Sequence, residues 1–409
     1  MPDFFQDENI PANFNRKSFG DDFLFGASSS ALQVEGAKEI DGKGLSIWDV
    51  FSEKRKKILN RDTPQIACDF YHRYEEDISI AQSLHIPNFR FSISWSRIFP
   101  DGTGKVNQNG IDFYNRVIDA CLKKNIQPWI TLYHWDLPHE LEKKGGWTNR
   151  EIIHWFEEYV SLFIRSFKDR VKYWMILNEP MVFTGAGYFL GIHAPGKRGI
   201  KNFLPAVHHA VLCQSIGTKI IRSEDSNAEI GTTFSCSHIT PYSASEKDKK
   251  AAKRIDALLN RLFIEPSLGL GYPEKELPFL KKINKYVKQG DNELMKANFD
   301  FIGIQNYTRQ VVAHNFFVPY VKARLIPADK RKVYFTSMNW EVYPESIYEV
   351  IKKFSKYDDV KKIIVTENGA AFPDKVIDNR VPDEERVRFL SNYLAQVLKA
   401  KQEGCKVNG

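Results

Sequence analysis

The chain has 409 residues, 43% of them hydrophobic and 27% charged, with a formal net charge of +7 from 58 basic and 51 acidic side chains. That is the composition of a soluble globular protein, long enough to bury a large core. The basic residues are scattered in short clusters such as Lys54-Arg55-Lys56-Lys57, which read as solvated faces and argue against a nucleic-acid or anionic-surface role.

Seven short apolar runs alternate with longer amphipathic stretches. The first predicted strand, Phe23–Ala27, leads into Gln33-Val34-Glu35-Gly36, and a helix follows over Phe70–Leu84. A strand over Asn88–Ser94 carries Arg90 and precedes a helix over Gly110–Lys124. The third strand, Gln127–Tyr133, stops at His134-Trp135-Asp136. The fourth, Val171–Leu177, runs into Asn178-Glu179-Pro180. Strands over Glu229–Phe234 and Asp300–Asn306 come next, the latter ending at Tyr307, and the seventh, Lys362–Thr366, runs into Glu367-Asn368-Gly369. This alternation predicts an α/β protein with a parallel sheet and helices packed outside it. No G-x-G-x-x-G follows the first strand, so a closed (β/α)₈ (TIM) barrel is expected rather than a doubly wound sheet. No Ser- or Pro-rich linker divides the chain, and 1–409 reads as one catalytic domain. A last helix is expected from about Pro382 to Glu403, with Val387, Leu390, Leu394 and Val397 in a stripe and Gly404 as its stop. An eighth strand would begin at Cys405–Gly409. The expectation is therefore a barrel lacking its eighth strand and helix, with an open seam and two unpaired edges.

The cysteines, Cys68, Cys121, Cys213, Cys236 and Cys405, are odd in number and share no metal-like spacing, which argues against a disulfide framework or zinc site. Met1-Pro2-Asp3 opens no basic-then-apolar leader, and no apolar stretch approaches the roughly 20 residues of a membrane span. A cytoplasmic protein with no membrane partner is expected.

Glu179 and Glu367 each fall at the C-terminal end of a buried strand, where barrel enzymes place their chemistry. Two such carboxyls are what glycosidic cleavage requires: one still protonated to serve the leaving oxygen, one ionised. Glu179 is the better acid, because a negative neighbour at Glu367 raises its pKa. Solvated strand-end carboxylates are the alternative. Arg90, in a strand otherwise fit for burial, demands a charged partner, either an ionised Glu367 or a structural ion pair. Tyr307 can hydrogen-bond the nucleophile, and the Asn178 amide can reach a sugar 2-hydroxyl. His134 offers a hydroxyl partner, Trp135 a stacking face, and Gln33 both a donor and an acceptor.

Together these segments resemble family 1 of the glycoside hydrolases, the β-glucosidase and β-galactosidase group. The resemblance runs in family order through Phe23–Gly36, Phe89–Pro100, Tyr133–Leu141, Asn178–Pro180, Gly191–Pro195, Phe301–Thr308, Trp340–Pro344 and Val365–Gly369. It implies a TIM barrel acting with retention through a covalent glycosyl-enzyme, with Glu179 as acid/base and Glu367 as nucleophile. It further implies Arg90 and Tyr307 as partners of the nucleophile, Gln33, His134 and Asn178 as sugar contacts, and Trp340 as an aglycone platform. No metal or cofactor is implied. The implied substrate is a small terminal β-glucoside, galactoside or fucoside, or an oligosaccharide. A 6-phospho-β-glycosidase and an inactive carbohydrate-binding barrel remain as alternatives. The oligomeric state is not legible. Two departures stand out: Ile176 replaces the usual Thr two residues before the Asn, and the family's last strand, loop and helix are expected to be absent.

Overall fold

The computed structural model describes residues 14–409; Met1-Pro2-Asp3, on which the leader reading rests, lies outside the described residues. Seven strands form one sheet: β1 (Ala27–Ser28), β2 (Asn88–Ser92), β3 (Gln127–Tyr133), β4 (Tyr173–Asn178), β5 (Glu229–Ser235), β6 (Phe301–Gln305) and β7 (Ile363–Glu367). Each pairs in parallel with the next, from β1 to β7. The long helices Phe70–Ser83, Gln108–Lys123, Ile152–Phe167, Ile200–Glu224, Glu345–Ser355 and Glu384–Gln402 lie between or after the strands, so the predicted strand–helix alternation holds.

The strands are apolar because both faces are covered. Successive side chains point to opposite faces. Trp129, Met175, Phe301 and Ile364, from β3, β4, β6 and β7, form a cluster of their own. Trp129 stacks on Tyr173 at 3.9 Å and meets Phe301 edge-on at 5.7 Å. The alternate β4 residues Trp174 and Ile176 join the larger core that the helices complete. Ile176 packs against the helix Ile200–Glu224 where that helix has Gly217.

Two expectations are corrected. The first strand was expected over Phe23–Ala27, yet the ladder covers only Ala27–Ser28. Phe23 and Phe25 gather with Phe19 in an aromatic cluster, with centroids 4.7 to 5.2 Å apart, and that packing sets their course instead of strand pairing. The seam is also not unpaired along its whole length. Residues 406–409 run beside β7: Ile363 N donates to Lys406 O, Asn408 N to Ile363 O and Val365 N to Gly409 O, while Leu24 N donates across to Asn408 O. These bonds tie the segment before β1 to β7, and Val407 is buried there. Farther along, a cavity of ≈ 330 Å³ lies between β1, β7 and the last helix. Leu390, Leu394 and Val397 of the expected apolar stripe face it, whereas Val387 is exposed.

A second, three-stranded sheet of Ile239–Pro241, Gln310–His314 and Ala323–Leu325 was not foreseen; two of its strands span only three residues each, too short to carry a readable period. Among the described residues no helix is long and apolar enough to cross a membrane.

Candidate active site

Glu179 directly follows β4 and Glu367 ends β7, with β5 and β6 between the two strands in the sheet. Glu179 has φ +46°, a left-handed conformation that costs a glutamate about 1–3 kcal/mol and persists only where its surroundings impose it. Here its N–H donates to Thr233 O on β5 at 2.8 Å, and its carbonyl accepts from Val182 N at 2.8 Å as the helix Pro180–Thr184 begins. Pro180 suits that first helical position, having no N–H to leave unpaired. The carbonyl is thus committed and the side chain is turned into the barrel mouth, almost wholly buried.

The two carboxyls meet opposite environments. Burial raises the Glu179 pKa well above the carboxylate range, and the negative charge of Glu367 adds to this. Burial alone would also raise Glu367, but the Arg90 guanidinium and the Tyr307 hydroxyl outweigh it and hold that carboxyl below its usual value. The contacts are direct. Glu367 Oε1 accepts from Arg90 Nη1 at 2.5 Å and from Gln305 Nε2 at 2.6 Å, and Oε2 accepts from the Tyr307 hydroxyl at 2.5 Å. Burial followed by the Glu367 charge pushes the Tyr307 pKa upward, so the phenol remains a donor.

Arg90 is 4% exposed and pairs with Glu367 rather than with a remote structural carboxylate. Its other nitrogens donate to Thr131 Oγ1 at 2.9 Å and to Asn178 Oδ1 at 2.5 Å. Asn178 Oδ1 also accepts from Thr233 Oγ1 at 2.8 Å and Gln305 Nε2 at 2.7 Å. Its amide orientation is therefore fixed, and Nδ2 lies 2.9 Å from His134 Nε2. Burial lowers the His134 pKa to about 3. The ring is neutral, Nε2 accepts from Asn178, and the proton sits on Nδ1, which has no protein partner. His134 Nδ1 is thus a buried nitrogen with no protein partner at this corner.

Trp135 takes φ +77°, and its indole N–H donates to Asn178 O at 2.9 Å, which leaves a partly exposed ring beside His134. The Trp340 ring lies 5.2 Å from that of Tyr307. Gln33, on the short helix Ala31–Val34, is exposed; its amide oxygen accepts from Ser30 Oγ at 2.8 Å, and it contacts neither glutamate. The structure thus gathers Arg90, Asn178, His134, Trp135, Tyr307 and Trp340 around the pair, while Gln33 stands on the segment that follows β1 and bonds Ser30.

Gln305 is the residue that the sequence reading misses. It is fully buried and bridges Glu367, Asn178 and Thr233. Its signal in the sequence is weaker than that of Arg90: an uncharged amide in a strand otherwise fit for burial does not demand an anion. Glu35, in the Gln33–Gly36 segment, belongs elsewhere. Arg97 holds it through Nε and Nη2, and the Tyr114 hydroxyl donates to its other oxygen.

A parallel barrel with two buried carboxyls of opposite bias at its strand ends has the equipment of a glycoside hydrolase. The sequence profile of Glycosyl hydrolase family 1 matches residues 15–409. The chain is 40% identical to beta-glucosidase A of Thermotoga maritima over 97% of its own length and 88% of that enzyme's. It is equally identical to a 1,4-beta-D-glucan glucohydrolase of Thermotoga neapolitana over 96% and 92%. The solved beta-glucosidase from Thermotoga maritima in complex with glucoimidazole superposes with a TM-score of 0.91, at 40% identity over 96% of this chain and 88% of that one. The chain belongs to glycosyl hydrolase family 1 and is a glycoside hydrolase. These spans do not support the expectation that a whole eighth strand–helix unit is absent.

Proposed function

We propose that this enzyme removes terminal β-D-glucosyl residues from small β-glucosides by double displacement, with net retention at the anomeric carbon. The observation that carries the reading is the asymmetry of the pair: Glu367 receives three donors, one of them a guanidinium, while burial keeps Glu179 protonated. In the first step Glu179 gives its proton to the glycosidic oxygen as the Glu367 carboxylate attacks the anomeric carbon. The aglycone leaves as an alcohol, and the sugar remains esterified to Glu367. Esterification removes the Glu367 charge, so the Glu179 pKa falls. Glu179 then takes a proton from water as that water attacks the same carbon, and Glu367 leaves as carboxylate with Glu179 reprotonated. Asn178 and His134 supply donors to the sugar hydroxyls. The glucosyl preference is supported by the similar enzymes, which are described as beta-glucosidases and a glucan glucohydrolase.

The test is direct. Incubation with a 2-deoxy-2-fluoro-β-glucoside bearing a good leaving group is expected to trap a glycosyl ester on the peptide containing Glu367, read by mass spectrometry. Proton NMR during hydrolysis of an aryl β-glucoside is expected to show the β-anomer of glucose first. Appearance of the α-anomer first overturns the retaining mechanism, and ester formation at another residue overturns the assignment of Glu367.

A further inference from the structure

The Lys54-Arg55-Lys56-Lys57 run reads from sequence as a solvated face, and the structure gives it a different setting. A run of ring contacts leaves the sugar site at His134. It passes to Trp135 at 5.6 Å, to His193 at 5.7 Å, to Trp48 at 5.3 Å and to Phe51 at 5.6 Å between centroids. Trp135, His193 and Trp48 are each partly exposed, and Phe51 is buried beneath them. Burial lowers the His193 pKa, so its ring is a neutral surface.

The loops that carry these rings come from the C-terminal ends of barrel strands and are bound together. Ile47 N donates to Leu137 O and His139 N to Leu45 O, both at 2.8 Å. At the outer end Lys54 and Lys57 stand over the Phe51 ring, 5.8 and 5.2 Å from its centroid. The Lys57 ammonium also reaches Gly191 O, two residues before His193, at 3.4 Å. Both lysines are exposed, and neither has a carboxylate partner among the described residues. The nearby acids are engaged: Glu53 pairs with Lys38 and Asp49 with Lys43. A run of partly exposed rings thus starts at the candidate sugar site, and at its outer end two lysines without an ion-pair partner among the described residues stand over the buried Phe51 ring.

We propose that this track binds the leaving-group side of the substrate, and that it selects β-glucosides whose aglycone carries a ring and, beyond it, a carboxylate or sulfate received by Lys54 and Lys57. The proposal rests on the β-glucosidase reading and adds the class of aglycone to it. Rings of the aglycone pack on Trp135, His193 and Trp48, whose few rotatable bonds make contact at low entropic cost. The terminal acid meets two ammonium groups that hold no carboxylate within ion-pair distance among the described residues.

The test uses a matched pair of aryl β-D-thioglucosides with one flexible para arm, ending in a carboxylate or in the corresponding carboxamide. Both are titrated into the full chain by calorimetry, and the corresponding O-glucosides are assayed for kcat/KM. The carboxylate is expected to be favoured about three- to tenfold at low salt, the range that one or two exposed ion pairs supply. The preference is expected to fall toward unity near 1 M salt, where screening acts within about 3 Å. Lys54→Gln with Lys57→Gln is expected to erase the ratio, and Trp48→Ala to weaken both arms alike while leaving it. A ratio of one in the unmodified protein, or a ratio unchanged by the double lysine substitution, overturns the proposal. If neither O-glucoside is cleaved, the β-glucosidase reading falls, while the calorimetric ratio still decides this one.

Discussion

Gln305 sits where two functions of the site meet. One amide nitrogen lies within hydrogen-bond distance of the Glu367 carboxylate, the Asn178 amide oxygen and Thr233 Oγ1. Removing it withdraws a donor from a buried anion, and a hydrogen bond to a charged group contributes about 1.5–3 kcal/mol. On the proposed roles, kcat/KM requires Glu367 ionised and Glu179 protonated. The acid limb then follows a Glu367 carboxyl held low, and the alkaline limb a Glu179 carboxyl held high. Losing a donor to the charged form raises the Glu367 pKa. Gln305→Leu is therefore expected to lower plateau kcat/KM about 10- to 100-fold and to move the acid limb to higher pH, so that the profile narrows from the acid side. A pH series with an aryl β-glucoside checks this; an unmoved acid limb would mean that Gln305 only fills space. The same logic marks what is legible in the sequence. Arg90 stands out because a guanidinium in a buried strand must find an anion. Gln305 does not, because an amide can be satisfied by any backbone or hydroxyl group, so its position on the inner face becomes informative only once the strand register is known.

At the scale of elements, the strands of a parallel barrel are readable because burial on both faces leaves unbroken apolar runs. The first strand is the exception. Phe23 and Phe25 carry a strand's composition, but their rings are taken by Phe19, and only two residues enter the ladder. The pairing of Ile176 with Gly217 shows how one element answers another. A Cβ at Gly217 would lie 2.9 Å from Ile176 Cγ2 and 3.3 Å from Phe156 Cε1, so a glycine of poor helix propensity is retained for close approach. Gly217→Ala is expected to destabilise by roughly 1–3 kcal/mol despite alanine's better propensity. Ile176→Ala alone is expected to be destabilising through the space it leaves. Together the two should cost less than their sum, because the alanine methyl occupies part of that space. A double-mutant cycle on denaturant unfolding measures the coupling; strict additivity would mean that the helix moves away from β4 freely.

At the scale of the whole molecule, the barrel's closure is where sequence reasoning and structure differ most. A count of strands predicts two bare edges beside Glu367. The edges are instead joined at one end by four residues that show no strand period of their own. Lys406, Asn408 and Gly409 exchange backbone hydrogen bonds with Ile363, Val365 and Leu24, and Val407 is 2% exposed. A segment this short carries no readable pattern, because its partners are set by where the last helix delivers it. Its energetic role follows from what removal would expose: the N–H groups of Ile363, Val365 and Leu24, together with the apolar lining of the neighbouring cavity. β7, which ends at Glu367, would then keep only β6 as a strand neighbour along that stretch. Deletion of residues 406–409 is expected to lower stability by about 2–4 kcal/mol, several net backbone hydrogen bonds and one buried valine. It is also expected to increase binding of a hydrophobic dye and concentration-dependent association through the freed edges. Val407→Asp should reproduce the loss of stability without shortening the chain, since it buries an unpaired charge. Because Arg90, Tyr307 and Gln305 are anchored on other strands or loops, the damage should be read in Glu367: a higher acid limb accompanying the lower melting temperature in both variants. If both melt early but keep the acid limb of the parent, the seam supports the fold without setting the position of the proposed nucleophile.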